Sequence, residues 1–134
     1  MERKTVLVVE DEPQMRRLVA IALRNRGYEV HEAGDADQAV LRIWDHRPDL
    51  IVLDAVLPDR TGFELCAELK GDPRTSSIPI LMISGITQGV PGSREVWRRK
   101  FLADDYIAKP FALRDLVEGV DRLAWAPQPG GRPS

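Results

Sequence analysis

The chain has 134 residues, enough for one domain that buries roughly two thirds of its unfolded surface, and its 43% hydrophobic and 30% charged residues are those of an ordinary globular protein. With 19 basic against 21 acidic residues the net charge is −2, so nothing global draws it to nucleic acid or to an anionic membrane, and no apolar run approaches the ~20 residues that span a bilayer. A lone cysteine, Cys66, excludes an internal disulfide, and with no signal peptide visible a reducing cytoplasm is the expected location.

Residues 5–9, Thr-Val-Leu-Val-Val, predict a first strand that runs straight into Glu10-Asp11-Glu12. Pro13 suits the first turn of a helix, whose apolar stripe is read as Met15, Leu18, Val19 and Ala22, with Arg16, Arg17, Arg24 and Arg26 on the other side and Gly27 as the stop. Residues 28–33 alternate weakly and predict a second strand towards the sheet edge. Asp35 then caps a second helix with Ala36, Ala39, Val40 and Ile43 inward. His46 reads as a solvated or C-cap residue, and His31 has no evident partner; two histidines without a supporting constellation do not make a metal site.

The central stretch is Leu50-Ile51-Val52-Leu53-Asp54, four branched aliphatic residues ended by a carboxylate. This is the pattern of a strand buried on both faces that delivers one acid to its C-terminal edge. A loop through Pro58-Asp59-Arg60-Thr61-Gly62 leads to a third helix near residues 63–70, where Cys66 sits among Phe63, Leu65 and Leu69 as a small core residue. Gly71-Asp72-Pro73 ends it. Ile80-Leu81-Met82-Ile83 is the fourth strand and runs into Ser84-Gly85; residues 85–92, with three Gly and one Pro, predict a mobile loop. A short helix is expected over residues 93–102, with a basic face of Arg94, Arg98, Arg99 and Lys100 beside Trp97. That face is a solvated surface or a docking site for an acidic partner. A short fifth strand precedes Lys109-Pro110-Phe111, and a last helix buries Leu113, Leu116, Val117, Val120 and Leu123. Trp125 lies at the edge of a Pro/Gly-rich tail, residues 125–134, expected to be disordered or the start of a linker. Strands alternating with helices five times predict an α/β sandwich with a parallel sheet and helices on both faces, one domain over residues 4–124.

In open parallel sheets ligands bind beyond the C-terminal strand ends. Glu10 and Asp11, Asp54, Ser84 and Lys109 all stand at such ends. Several carboxylates a few ångströms apart repel by about 4 kcal/mol per pair at an effective dielectric near 20, so a cation must offset them. Oxygen ligands without Cys or a convincing His suit a hard ion that keeps several waters, Mg²⁺. Lys109 is one of only four lysines against 15 arginines and supplies a compact positive charge. The Ser84 hydroxyl and the Gly85 amide complete what a phosphoryl group needs, and in that setting Asp54 is a nucleophile that forms an acyl phosphate.

Val8-Val9-Glu10-Asp11-Glu12-Pro13, Pro48-Asp49 with Leu50 to Asp54, then Pro58 and Gly62, Ser84-Gly85, Ala103-Asp104-Asp105-Tyr106 and Lys109-Pro110-Phe111 together resemble the receiver domain of two-component response regulators, of the chemotaxis-receiver kind. Each motif alone is weak; five in this order over about residues 4–124 are specific. The resemblance implies a flavodoxin-like sheet of order 2-1-3-4-5 and phosphorylation of Asp54 by a sensor histidine kinase or a histidine phosphotransfer protein. It implies Mg²⁺ held by Glu10, Asp11, Asp54 and the Val56 carbonyl, with Lys109 on the phosphoryl oxygens and a cis Lys109-Pro110 bond. Ser84 and Tyr106 resemble the family's switch pair, which reshapes the face of the fourth helix, fifth strand and last helix for a downstream protein or effector domain, or for a phosphorylation-dependent homodimer.

This sequence departs from the family pattern in a longer interval between Ser84 and Lys109 and in Leu102, which stands where a glycine commonly precedes the Ala-Asp-Asp segment. The apolar Val56 and Ile86, two residues beyond Asp54 and Ser84, position an attacking water poorly and predict a slowly lost phosphoryl group. Two other classes compete with a phosphorylatable receiver. A pseudo-receiver, an interaction module that never takes phosphate, would typically lack one of the acids or the lysine, and none is missing. A haloacid dehalogenase-like phosphatase usually has a second acid two residues after its nucleophile, where this chain has Val56.

Overall fold

Three aliphatic runs form the centre of the sheet, flanked by two more polar strands. The computed structural model describes residues 3–85 and 102–126. In chain order these contain β1 (Thr5–Val9), α1 (Pro13–Asn25), β2 (Glu29–Ala33), α2 (Ala36–Asp45), β3 (Leu50–Asp54), α3 (Gly62–Gly71), β4 (Ile80–Ser84), β5 (Asp105–Ala108) and a C-terminal helix (Leu113–Ala124). All strands are parallel and lie in the order β2-β1-β3-β4-β5, as expected, with β2 at one edge. The expected helix over residues 93–102 lies outside the described residues except for Leu102, which is not helical; its basic face and Trp97, the loop beyond Gly85 with Ile86, and the tail beyond Ala126 also lie outside them.

Because side chains alternate across a strand, each central strand feeds two cores. Leu7, Val9, Ile51, Leu53, Ile80 and Met82 face α2 and α3, packing on Ala36, Ala39, Ile43, Leu65, Cys66 and Leu69. Val6, Val8, Leu50, Val52, Leu81 and Ile83 face α1 and the C-terminal helix, meeting Val19, Ala20, Leu23, Leu116 and Val120. Tyr28 and Arg26 both bond the Asp121 carboxylate, which ties the end of α1 to the C-terminal helix. Burial, then the Asp121 hydrogen bond, pushes the Tyr28 phenol up to about 12.

Helix boundaries follow their caps. Glu12 accepts from the Gln14 and Met15 amides ahead of Pro13, Asp35 accepts from Gln38, and Thr61 forms a reciprocal capping box with Glu64. α1 ends as expected at Gly27, whose φ of +102° favours glycine. The α1 stripe is corrected: the buried residues are Val19, Ala20 and Leu23, while Leu18 is 51% exposed. Residues 18–23 are apolar all round, so spacing alone leaves the phase of the helix open. His31, which lacked an evident partner, meets Glu29 at 2.9 Å and lies 5.4 Å from the His46 ring, and His46 is the C-cap of α2. Trp125 is exposed, with the Lys4 ammonium 4.7 Å from its ring centre.

Leu102 adopts φ +70°, the left-handed region that costs a non-glycine residue about 1–2 kcal/mol, and its side chain is half exposed. This is the physical reason a glycine suits the position. Leu102→Gly relieves that strain at the expense of about 0.5–1 kcal/mol of chain entropy, so urea unfolding should show a small net gain; a loss would place the strain elsewhere. In the same assay Ile51→Ala, at a fully buried position of β3, should cost about 3 kcal/mol, whereas Leu41→Ala on the exposed face of α2 should stay within about 0.5 kcal/mol.

Candidate functional site

The parallel register sets the site. β1 and β3 align Val9 with Leu53, so Glu10 and Asp54 emerge side by side, and β4 pairs with β5 so that Ser84 lies level with Ala108, one residue before Lys109. Glu10 and Asp54 are almost completely buried, while Asp11 is exposed. Carboxylate oxygens of Glu10, Asp11 and Asp54 all lie within 4.8 Å of one another, the one group of potential metal ligands of this kind among the described residues.

Lys109 closes the cluster. Its Nζ donates to Asp54 Oδ2 at 2.6 Å and to Glu10 Oε1 at 3.2 Å. To do so the stem crosses the end of β4, where Ser84 and Gly85 are small; a Cβ built on Gly85 would sit 3.9 Å from the Lys109 Cβ. The Lys109 backbone amide donates to the Ser84 carbonyl, and the Lys109-Pro110 bond is cis, as expected. Burial works to lower the ammonium, but the hydrogen bond and charge of Asp54, with those of Glu10, outweigh it and hold Lys109 above its ordinary value. Glu10 shows the opposite balance: burial, then its contact with Asp54, pushes its carboxyl up to about 7 despite the Glu12 amide and Lys109.

Asp54 Oδ1 accepts from the Val56 amide at 2.9 Å, which folds the following loop back over the acid. Gly62 is needed beneath it, because a Cβ there would collide with the Asp54 backbone, and the Gly62 amide bonds the Ala55 carbonyl at 2.8 Å. The Val56 side chain is 59% exposed beside the acid, as a residue on the rim must be. Ser84 is fully buried, and Tyr106 is buried in the core cluster that also holds Cys66 and Ala103. Burial raises the Tyr106 phenol. All seven expected site residues are described: Glu10, Asp11, Asp54, Val56 and Lys109 surround one point at the sheet edge, Ser84 ends the neighbouring strand, and Tyr106 lies inside β5.

Two supporting residues carried no signal of this role in the sequence. Arg16 Nη1 donates to the Glu10 carbonyl at 2.8 Å, and Asp59 bonds the amides of Ala36 and Asp37 at 3.0 Å each. Asp59 meets residues more than twenty positions away, and Arg16 reaches back six residues across the turn between β1 and α1, so no helix or strand periodicity announces either contact.

The arrangement can concentrate a divalent cation on oxygen ligands and hold an anionic group against Lys109. Comparison with known proteins agrees with it. The family profile "Response regulator receiver domain" matches residues 6–121. The chain is 40% identical over 130 residues to the phosphate regulon transcriptional regulatory protein PhoB of Pseudomonas aeruginosa, covering 97% of this chain and 56% of that protein. It is 36% identical over 118 residues to the DNA-binding response regulator MtrA of Mycolicibacterium smegmatis, covering 88% and 49%. The chain thus spans about half the length of these curated relatives. Among solved structures, a CheY-like response regulator receiver domain protein from Methanospirillum hungatei superposes with a TM-score of 0.78 at 28% identity, covering 92% of this chain and 94% of that one.

The raised Glu10 value has a testable sign. Its folded-state value of about 7 lies above the ordinary 4.5, so the folded state holds a proton that the unfolded chain has released between those pH values. Its stabilisation is full below about 4.5 and is lost as the pH rises through about 7. In EDTA, thermal melts of wild type against Glu10→Gln should show the wild type losing ground across that window and the difference levelling above it. A difference that stays constant from pH 4.5 to 8 would remove this account of Glu10.

Proposed function

The chain belongs to the response regulator receiver domains, and from that premise we propose that Asp54 accepts a phosphoryl group from a sensor histidine kinase or a histidine phosphotransfer protein. The observation that carries the proposal is the Lys109 ammonium 2.6 Å from Asp54 Oδ2, inside a group of three carboxylates whose oxygens lie within 4.8 Å. A structural acid at a strand end needs none of these neighbours.

An Asp54 oxygen attacks the phosphorus of a phosphohistidine, the P–N bond breaks, and the imidazole nitrogen keeps the electron pair and takes a proton. An acyl phosphate on Asp54 results. The Val56 amide on Oδ1 keeps the carboxylate from rotating, and Lys109 moves its charge onto the incoming phosphoryl oxygens. Glu10, Asp11, Asp54 and the Val56 carbonyl would hold Mg²⁺, which supplies charge neutralisation between the acids and the phosphoryl oxygens. The oxygen-only donor set fits that ion.

Ser84 and Tyr106 act as the switch pair, the hydroxyl engaging the phosphoryl group while the buried ring fills space behind it. The output face is that of β5 and the C-terminal helix, together with the fourth helix expected from the sequence, which lies outside the described residues, and it is read by a partner protein, an effector domain or a second copy of the chain. The signalling unit is residues 4–124, with residues 125–134 as tail or linker. Transcriptional regulation, as the name of the PhoB relative states for it, or DNA binding, as that of MtrA states, is one form that reading can take. The domain assists its own phosphorylation and dephosphorylation and does not turn over outside substrates, because Val56 stands where a leaving-group acid would be needed.

Incubation with Mg²⁺ and acetyl phosphate, followed by intact mass, should add one phosphoryl group to wild type and none to Asp54→Asn. The adduct should persist over minutes, since the exposed apolar Val56 beside it does not position water. Wild type that takes no phosphoryl group would leave the pseudo-receiver reading in its place, and loss of the adduct within seconds would overturn the slow-loss expectation.

A further inference from the structure

The loop that follows Asp54 is held at three places. At its base the Ala55 amide bonds the Ile83 carbonyl and the Gly62 amide bonds the Ala55 carbonyl, each at 2.8 Å. In its middle the Leu57 side chain is buried in the core against α2 and α3. At its tip Asp59 reaches across to a different element: Oδ1 accepts from the Ala36 amide and Oδ2 from the Asp37 amide, both at 3.0 Å, while Oδ1 also takes the Arg60 amide at 3.1 Å. These are first-turn amides of α2, which have no acceptor within the helix. Asp35, the ordinary cap of α2, bonds only Gln38. The helix therefore has two caps, one from its own strand and one from the phospho-acceptor loop.

The second cap is unnecessary for starting α2, since Asp35 already does that. What it adds is a fixed link between the N-terminus of α2 and the segment that carries Val56. Val56 is placed by that segment in two ways, through its amide on Asp54 Oδ1 and through the antiparallel bridge to Thr61 on the far side of Asp59. The charge-assisted bonds and the helix dipole favour the ionised Asp59, whose carboxyl is held below the usual range first by the Ala36 amide.

We propose that Asp59 is a positioning residue for the phospho-acceptor site: by gripping the Ala36 and Asp37 amides of α2 it holds the turn between Val56 and Thr61, and so keeps the Val56 backbone set against Asp54. The inference rests on the reading that Val56 and the three acids hold Mg²⁺. Outer residues that orient metal ligands contribute about tenfold or more to affinity, and a strap acting through one backbone carbonyl belongs at the low end of that range.

Asp35→Ala is the matched control, because it weakens the same helix without touching the loop. Mg²⁺ titrations followed by the amide signals of residues 10–12 and 54–56 should show about tenfold weaker binding in Asp59→Ala and affinity within about twofold of wild type in Asp35→Ala. Asp59→Asn, which keeps one acceptor oxygen, should recover part of the loss. With EDTA present, hydrogen exchange at the Val56 amide should speed up in Asp59→Ala and stay unchanged in Asp35→Ala. Equal effects of the two alanine variants, or none from Asp59→Ala while wild type binds Mg²⁺ at this site, overturn the positioning role alone. Wild type with no saturable shift at these amides overturns the metal reading and the inference together.

Discussion

Three carboxylates meeting at one edge of a sheet repel one another, and the positive charge of Lys109 among them is the constraint on which the site depends. At an effective dielectric near 20 each close pair costs about 4 kcal/mol, more than an ordinary surface contact returns. One ammonium shared between Asp54 and Glu10 offsets part of this and leaves Glu10 raised towards neutrality. A cluster in that condition gains from any further positive charge and from an incoming group that brings its own neutralising ion. That electrostatic deficit is what the proposed phosphoryl chemistry would draw on.

Everything else in the fold delivers those groups to one place. Parallel strands of the order β2-β1-β3-β4-β5 put the ends of β1 and β3 side by side, with β4 between β3 and Lys109. Two aliphatic cores, one on each face, hold the strands rigid enough for ångström-level placement of the acids. The loops above the edge are tied to neighbouring helices: Arg16 of α1 on the Glu10 carbonyl, and Asp59 of the loop after β3 on the start of α2. Rigid strands carry the reacting groups, and strapped loops complete the surround.

The strands and their terminal acids were legible in the sequence because buried parallel strands read as aliphatic runs and their ends show as abrupt changes to polar residues. Caps at Asp35 and Gly27 were legible for the same local reason. The face of α1 was not, since Leu18 to Leu23 is apolar in every direction and only packing against the sheet and the C-terminal helix chooses Val19, Ala20 and Leu23. Nor were the roles of Gly62 and Arg16, which depend on how the loops after β3 and β1 turn back, or of Asp59, whose partners in α2 only the tertiary fold brings near. Leu102 lies between: its departure from the family's glycine was visible, and its positive φ supplies the reason.

The most direct test of the account is a crystal structure of the chain grown with Mg²⁺ and beryllofluoride. The account predicts a beryllofluoride adduct on Asp54, Mg²⁺ held by Glu10, Asp11, Asp54 and the Val56 carbonyl, and the Lys109 ammonium moved from the carboxylate to a fluorine. An unmodified Asp54 still paired with Lys109, with Mg²⁺ absent from this edge of the sheet, would contradict it.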